Sequence, residues 1–419
     1  MISKLWSVKK EKIESQGVFW NMMSSGLNSI VSMLLLWVVT KICGVAQAGI
    51  FSLGFSTSQM MLTIGNYGMR NYQVTDIQNK YRMQTYLASR VITNIIMMAA
   101  VVLFCLTEGY YLEKAAITIL LCMLKMTDAF EDVYGGFYQK NGRLDISGKM
   151  MTLRIGIYIL SFCICLCVSK NLLLSCLVMC LVSAILLIVF VRSTKDIFAM
   201  GRPEFDGKKE VKVLIECFPL FLSAFLLMYI GNAPKYAIDL YLTEEAQAYY
   251  TYLFMPCFVT NLFVGFVLQP LLVRMSKSWV SKNYRQFIKL CIYILGGTAG
   301  IAAVIVLLGT LLGCPILSIV FGVALNEYRN VLSVLLIGGA FFAFSVIEQI
   351  VLTVMRKQAL LLVGFGGASI VAFLVSDPFV KSWGLLGAGY AYTASAGVLT
   401  FILGVMIIFF LYKEIKHMN

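Results

Sequence analysis

The chain has 419 residues, 60% of them hydrophobic and 13% charged, with a mean hydropathy of +0.84 and a formal net charge of +13. Soluble domains carry about 25% charged residues, so this composition excludes a protein that lives in water. The apolar runs are too long and too evenly spaced for globular cores, which leaves the bilayer as solvent.

Met1 to Gly17 carries Lys4, Lys9, Lys10, Glu11, Lys12 and Glu14 and lacks a short apolar region ending in a small-residue cleavage site. No cleavable signal is expected, and the first span must direct insertion. Apolar runs of about 20 residues bounded by charge or Gly, Pro and Asn predict twelve spans. They cover 18–40, 46–66, 86–107, 112–134, 150–168, 171–191, 213–232, 247–272, 288–312, 330–354, 359–380 and 386–412. The fold class is therefore all-α, a polytopic membrane protein.

Trp20 and Asn21 lie inside the first span, where an interfacial position and a cavity-facing position are both open. Arg70, Arg90, Arg143 and Arg154 fall at or just inside the predicted cytoplasmic ends of spans two to five. Guanidinium forks bind phosphate or carboxylate in bidentate fashion. Snorkelling to the interface explains any one of these arginines equally well.

The fourth span is the costly one. Lys125, Asp128, Glu131 and Asp132 interrupt an apolar run, and each buried charge costs about 2.5–3.5 kcal/mol or more on insertion scales. At 100° per residue these four and Gln139 share one arc of about 120°, so one face of this helix is wet or paired. The face either lines a hydrated cavity, with Lys125 deep and the acids toward its mouth, or holds a Lys125–Asp128 structural pair. The two can coexist.

Cys163, Cys165 and Cys167 recur with period two, which on a helix throws successive thiols apart and argues against a metal site. The twelve cysteines read as reduced packing residues. Arg192 to Lys212 is the longest polar stretch and predicts three regions: an N-terminal six-helix lobe at 1–192, a linker at 193–212 and a C-terminal lobe at 213–419. A faint repeat supports this, Val45-Ala-Gln-Ala-Gly-Ile-Phe51 against Glu245-Ala-Gln-Ala-Tyr-Tyr-Thr251. Asn232 to Asp239, with Pro234 and Lys235, predicts either a broken helix lining a pathway or a plain outer loop. The glycines at 296, 297, 300, 364, 366 and 367 suit close helix packing.

Of the 34 basic residues, 27 fall in the loops placed inside, six in those placed outside, and Lys125 within the fourth span. This bias predicts both termini in the cytoplasm and accounts for the net charge through anionic membrane lipids, without nucleic acid. The only histidine, His417, lies in the polar tail, so the body lacks the usual general base and metal ligand. Neither a metal, a cofactor nor covalent chemistry is expected.

Several segments together resemble a known family. They are Thr40-Lys-Ile-Cys-Gly44, Gly49-Ile-Phe-Ser52, Gly65-Asn-Tyr-Gly-Met-Arg70, Glu131-Asp-Val-Tyr-Gly-Gly-Phe-Tyr-Gln139, Gly142-Arg143, Asn232-Ala-Pro-Lys-Tyr236, Phe321-Gly322 and Trp383-Gly-Leu-Leu-Gly-Ala388. The chain is similar over nearly its whole length to the prokaryotic polysaccharide transporters, or O-antigen-type flippases, of the multidrug/oligosaccharidyl-lipid/polysaccharide exporter superfamily. The resemblance implies a MATE-like pair of six-helix bundles in the plasma membrane, working by alternating access. It implies as cargo a polyprenyl-diphosphate-linked oligosaccharide, and as partners membrane lipids and the polymerase and other proteins of glycan assembly; a coupling proton or sodium ion is left open.

Such cargo needs cationic, hydrated surroundings, for which Arg70, Arg90, Lys125, Arg154 and Lys235 are candidates. Asp128, Asp132, Gln139, Asn232, Trp20 and Asn21 complete the set of candidate cavity residues. One departure stands out: the face of the fourth span is net acidic by itself, which suits a coupling cation as well as an anion. The alternatives are a cation-coupled multidrug exporter and, given outer loops too short for a catalytic domain, more remotely a membrane glycan polymerase or ligase.

Overall fold

Helices carry the whole architecture, and the described residues include no strand. The computed structural model describes residues 6–76, 78–195, 197–198 and 201–416, with backbone alone at residue 10 and at 258–273. The first unit holds α1 (Ile13–Cys43), α2 (Val45–Asn66), the short α3 (Met69–Thr75), α4 (Met83–Thr107), α5 (Leu112–Lys140), α6 (Leu144–Ser169) and α7 (Leu172–Ser193). Then come α8 (Lys208–Tyr241), α9 (Glu244–Val280), α10 (Tyr284–Leu308), α11 (Cys314–Phe321), α12 (Arg329–Val354) and α13 (Leu361–Lys416).

Gly384, with φ of 57°, divides α13 into two arms. Counted with both arms, the long helices among the described residues number twelve, one for each predicted span. Eight stretches are long and apolar enough to cross a membrane by length and composition. The apolar window of α8 has a mean hydropathy of 2.2 and is only 17% buried, the pattern lipid requires.

The chain separates into two compact units, Met1–Phe225 and Leu226–Asn419, with the division inside α8. In the first unit, α1 and α6 come within backbone contact at Gly148, where a Cβ would meet Trp20 C at 2.6 Å and the Asn21 nitrogen at 2.7 Å. Gly54 and Gly65 of α2 likewise sit against Thr118 and Ala129 of α5. Small residues serve here because lipid supplies no hydrophobic drive between helices, and close approach must replace it. In the second unit Thr393 and Thr400 of α13 donate to the Val334 and Phe341 carbonyls of α12, at 2.8 and 2.7 Å.

Two boundaries differ from expectation for physical reasons. The fourth span continues as helix to Lys140 rather than ending near 134, because its charged last turns find partners on neighbouring helices. Asn232 to Asp239 is neither a break nor a loop, since α8 runs through it to Tyr241. Pro234 removes one donor, and Ile230, Ala233, Ala237 and Ile238 are buried around it, so packing holds the helix together.

The turn between α3 and α4 is built around Asp76. Its carboxylate accepts from the backbone N–H of Lys80 at 2.9 Å and Tyr81 at 3.1 Å, and from the Tyr86 hydroxyl at 3.3 Å. Burial alone would raise its pKa. Those N–H donors and Lys140 Nζ at 3.8 Å outweigh it and hold the carboxyl below the usual carboxylate range. A lowered folded pKa means this stabilisation is fully present above the unfolded value of about 3.9 and is lost as pH falls through the folded value. Hydrogen-exchange protection around residues 78–82 should therefore drop several-fold below about pH 4. In Asp76→Ala it should be low at every pH, and protection that survives in that variant would refute the turn's dependence on Asp76.

From the same corner Tyr72, Lys80 and Tyr81 all donate to the Glu216 carboxylate near the start of α8, Lys80 at 2.6 Å and Tyr81 at 3.3 Å. Tyr67 stacks on Phe221 with ring centroids 4.5 Å apart, which ties this end of α8 to the first unit.

Candidate functional site

The acids of α5 occupy successive turns of one face, and each meets cations carried by other helices. Asp128 accepts from Lys125 Nζ at 2.8 Å and from Arg154 Nη2 at 2.6 Å. Glu131 Oε2 accepts from Arg154 through Nε at 3.0 Å and through Nη2. Arg154, wholly buried on α6, uses its remaining amino group on Ser183 Oγ of α7 at 2.6 Å. Its fork thus joins three helices.

Asp132 is shared in the same way. Arg90 of α4 reaches its Oδ2 at 2.9 Å and also donates to the Gly65 carbonyl. Arg70 of α3 approaches Oδ1 at 3.4 Å and donates to Gln139 Oε1 at 3.1 Å. A cavity of about 130 Å³ opens among these groups, with Asn28, Gln59, Asn66 and Ser147 in its wall beside Arg70, Lys125, Asp128, Glu131, Asp132 and Arg154. Glu131 Oε1 is buried there without a hydrogen-bond partner.

The α5 face alone is acidic, but the assembled cluster sets four cations against three carboxylates. The sign changed because α3, α4 and α6 each bring an arginine that one helix's periodicity cannot show.

Residues 15–279 match the model of a family described as polysaccharide biosynthesis protein. The chain belongs to that family. No curated protein matches it. Among solved structures it resembles the lipid II flippase MurJ in an inward closed conformation, 13% identical, with a TM-score of 0.71 over 92% of this chain and 86% of that one. An inward-facing multidrug resistance MATE family transporter of the MOP superfamily is 13% identical with a TM-score of 0.69, covering 93% of this chain and 95% of the other. A MOP superfamily transporter from Pyrococcus furiosus, 13% identical, has a TM-score of 0.63 with 98% of each chain covered. At such identities the likeness is one of fold. This member of the polysaccharide biosynthesis family is thus a multi-pass membrane protein with the MATE and MurJ fold and twelve long helices among its described residues.

Of the candidate residues, Lys125, Asp128, Asp132, Gln139, Arg70, Arg90 and Arg154 come together in the first unit. Lys125 and Asp128 form an i, i+3 pair within α5, and both line the cavity of the first unit. Trp20 and Asn21 lie elsewhere, on the α1 surface against Gly148. Asn232 and Lys235 belong to the second unit, where Lys235 Nζ sits 5.4 Å from the centre of the Phe254 ring. Arg143, grouped with the other arginines by position, instead holds Asp145 at 2.8 Å and the Trp6 carbonyl at 2.6 Å. His417 lies outside the described residues.

Sequence reasoning did not single out Ser183, Asn28, Gln59 or Asn66. All four are polar residues within predicted spans or at their ends, a signal that intramembrane polarity offers but does not rank.

Proposed function

We propose that the protein is a flippase that carries polyprenyl-diphosphate-linked oligosaccharide repeat units across the plasma membrane for capsule, O-antigen or exopolysaccharide assembly. Both termini would lie in the cytoplasm, and transport would proceed by alternating access with no covalent step. The observation that carries this reading is the arginine-rich cluster of α3 to α6 around a polar cavity.

Arg90 and Arg154 are each committed to two or more strong contacts and Lys125 to one short one, whereas Arg70 is only loosely held. Its side chain is 30% exposed and its contact with Asp132 is long, at 3.4 Å. A diphosphate could exchange for Asp132 on that fork at little cost, because bidentate guanidinium pairs suit either anion. The polar residues in the cavity wall could bond to the proximal sugar. The lipid tail would remain in the bilayer.

The partnerless Glu131 oxygen keeps a cation-coupled exporter as a second reading, since a buried acceptor facing a cavity suits a coupling cation. Deleting the gene distinguishes the two. A flippase predicts loss of surface glycan with lipid-linked repeat units accumulating on the inner leaflet. Normal surface glycan together with new sensitivity to cationic drugs would sink the flippase reading and favour the exporter.

A further inference from the structure

A second cavity, of about 280 Å³, lies in the first unit at the corner where α3, the Asp76 turn, the start of α4 and the end of α5 meet. Its wall includes Gln73, Asn79, Arg82, Lys140 and the rings of Tyr86 and Phe137. The volume is close to the lower end of the range for small-ligand sites, about 300 Å³, and so fits a headgroup-sized molecule.

Four features give this cavity its chemistry. Arg82 caps α4 by position only, and its guanidinium has no hydrogen bond or ion pair among the described residues. Lys140 has one distant carboxylate, Asp76 at 3.8 Å, which is already satisfied by two backbone N–H groups. The first turn of α4, 25 residues long and without a side-chain cap, ends at the same wall and adds the positive end of its dipole. These together favour an anion.

The fourth feature asks for something else. Gln73 is 1% exposed, its Nε2 meets only the Met83 sulfur at 3.3 Å, and its Oε1 has no partner. A thioether is a weak acceptor, so this amide is poorly satisfied as it stands. Its Oε1 packs against Gly136, and by turning about its side-chain torsions it would reach a ligand hydroxyl in the cavity.

We infer that this corner is a binding site for a phosphate ester bearing a nearby hydroxyl, with Arg82 and Lys140 holding the phosphate and Gln73 accepting from the hydroxyl. Position favours a lipid source. The site lies where the apolar stretch of α4 ends, with aromatic rings beside the basic groups, the arrangement that meets phospholipid headgroups at a membrane surface. A soluble polyol phosphate has the same chemistry. The inference is independent of the flippase reading, since it uses none of the α5 cluster.

The test uses the full chain purified in detergent and four probes: dioctanoyl phosphatidylglycerol, dioctanoyl phosphatidylcholine, dioctanoyl phosphatidic acid and glycerol 1-phosphate. Binding is read by native mass spectrometry and by the thermal unfolding midpoint. Wild type should prefer phosphatidylglycerol to phosphatidylcholine by about tenfold, and Arg82→Gln/Lys140→Gln should erase that preference. Lys140→Gln alone should weaken it by a smaller factor, which keeps the test valid should the double variant fail to fold. Gln73→Leu should remove discrimination between phosphatidylglycerol and phosphatidic acid, which lacks the hydroxyl. Glycerol 1-phosphate binding as tightly as the lipid would assign the site to a soluble ligand of the same class. Equal binding of both lipids by the wild type, or a preference unchanged in the basic variants, would overturn the proposal.

Discussion

Arg154→Ala should cost about 3–5 kcal/mol and sharply reduce the yield of folded protein, because it removes the shared cation from beneath two buried acids. Arg154 is wholly buried and joins Asp128, Glu131 and Ser183 across α5, α6 and α7. Without it, Glu131 keeps no cation and Asp128 keeps Lys125 alone. The cost arises mainly from what is left behind, so Arg154→Ala/Glu131→Gln should recover part of the lost stability. Thermal unfolding of a fluorescent fusion, followed by size-exclusion chromatography, reads both outcomes. An unfolding midpoint that does not change in the single variant would remove the network from any account of this unit's stability.

The second large effect should fall on transport rather than on folding. Arg70→Ala should lower flipping of lipid-linked repeat units about tenfold or more, the value of one lost charge-assisted contact of about 1.5–3 kcal/mol. Its removal brings the cluster from four cations against three carboxylates to an even balance. Folding should be largely spared, since Asp132 retains Arg90 at 2.9 Å and Gln139 lies at the polar end of α5. Arg70→Lys should restore part of the activity by supplying charge without the planar fork. Complementation of a deletion strain measures surface glycan, and the unfolding midpoint of the same variant is the control. A midpoint that falls in step with transport would make Arg70 a structural residue.

The contrast between these two arginines shows where the sequence is legible. The arc shared by Lys125, Asp128, Glu131, Asp132 and Gln139 follows from 100° per residue within a single helix, and the structure places all five along one side of α5 against charged or polar partners. Which cation answers which acid depends on helices separated by up to 62 positions, as for Arg70 and Asp132, and no local pattern contains that pairing. Arg143 looked equivalent to its neighbours and belongs to a different contact. The course of α8 through Pro234 was hidden for a similar reason, because proline weakens a helix locally while burial of Ile230, Ala237 and Ile238 decides the outcome from outside it. Hydropathy located the spans well, since crossing a bilayer is a property of each segment taken singly.

The interlocked charges of α4 to α6 also constrain how the chain is made. The ribosome delivers α4, with Arg90, before α5, and delivers Arg154 of α6 only afterwards. For that interval Asp128 has Lys125 alone and Glu131 has no cation, and an unpaired charge costs about 2.5–3.5 kcal/mol in lipid. The helix therefore gains most by waiting at the translocon until α6 emerges and entering the membrane with it as a hairpin. Insertion of α5 and α6 is then expected to be coupled, so that a chain arrested before Arg154 emerges leaves α5 outside the bilayer.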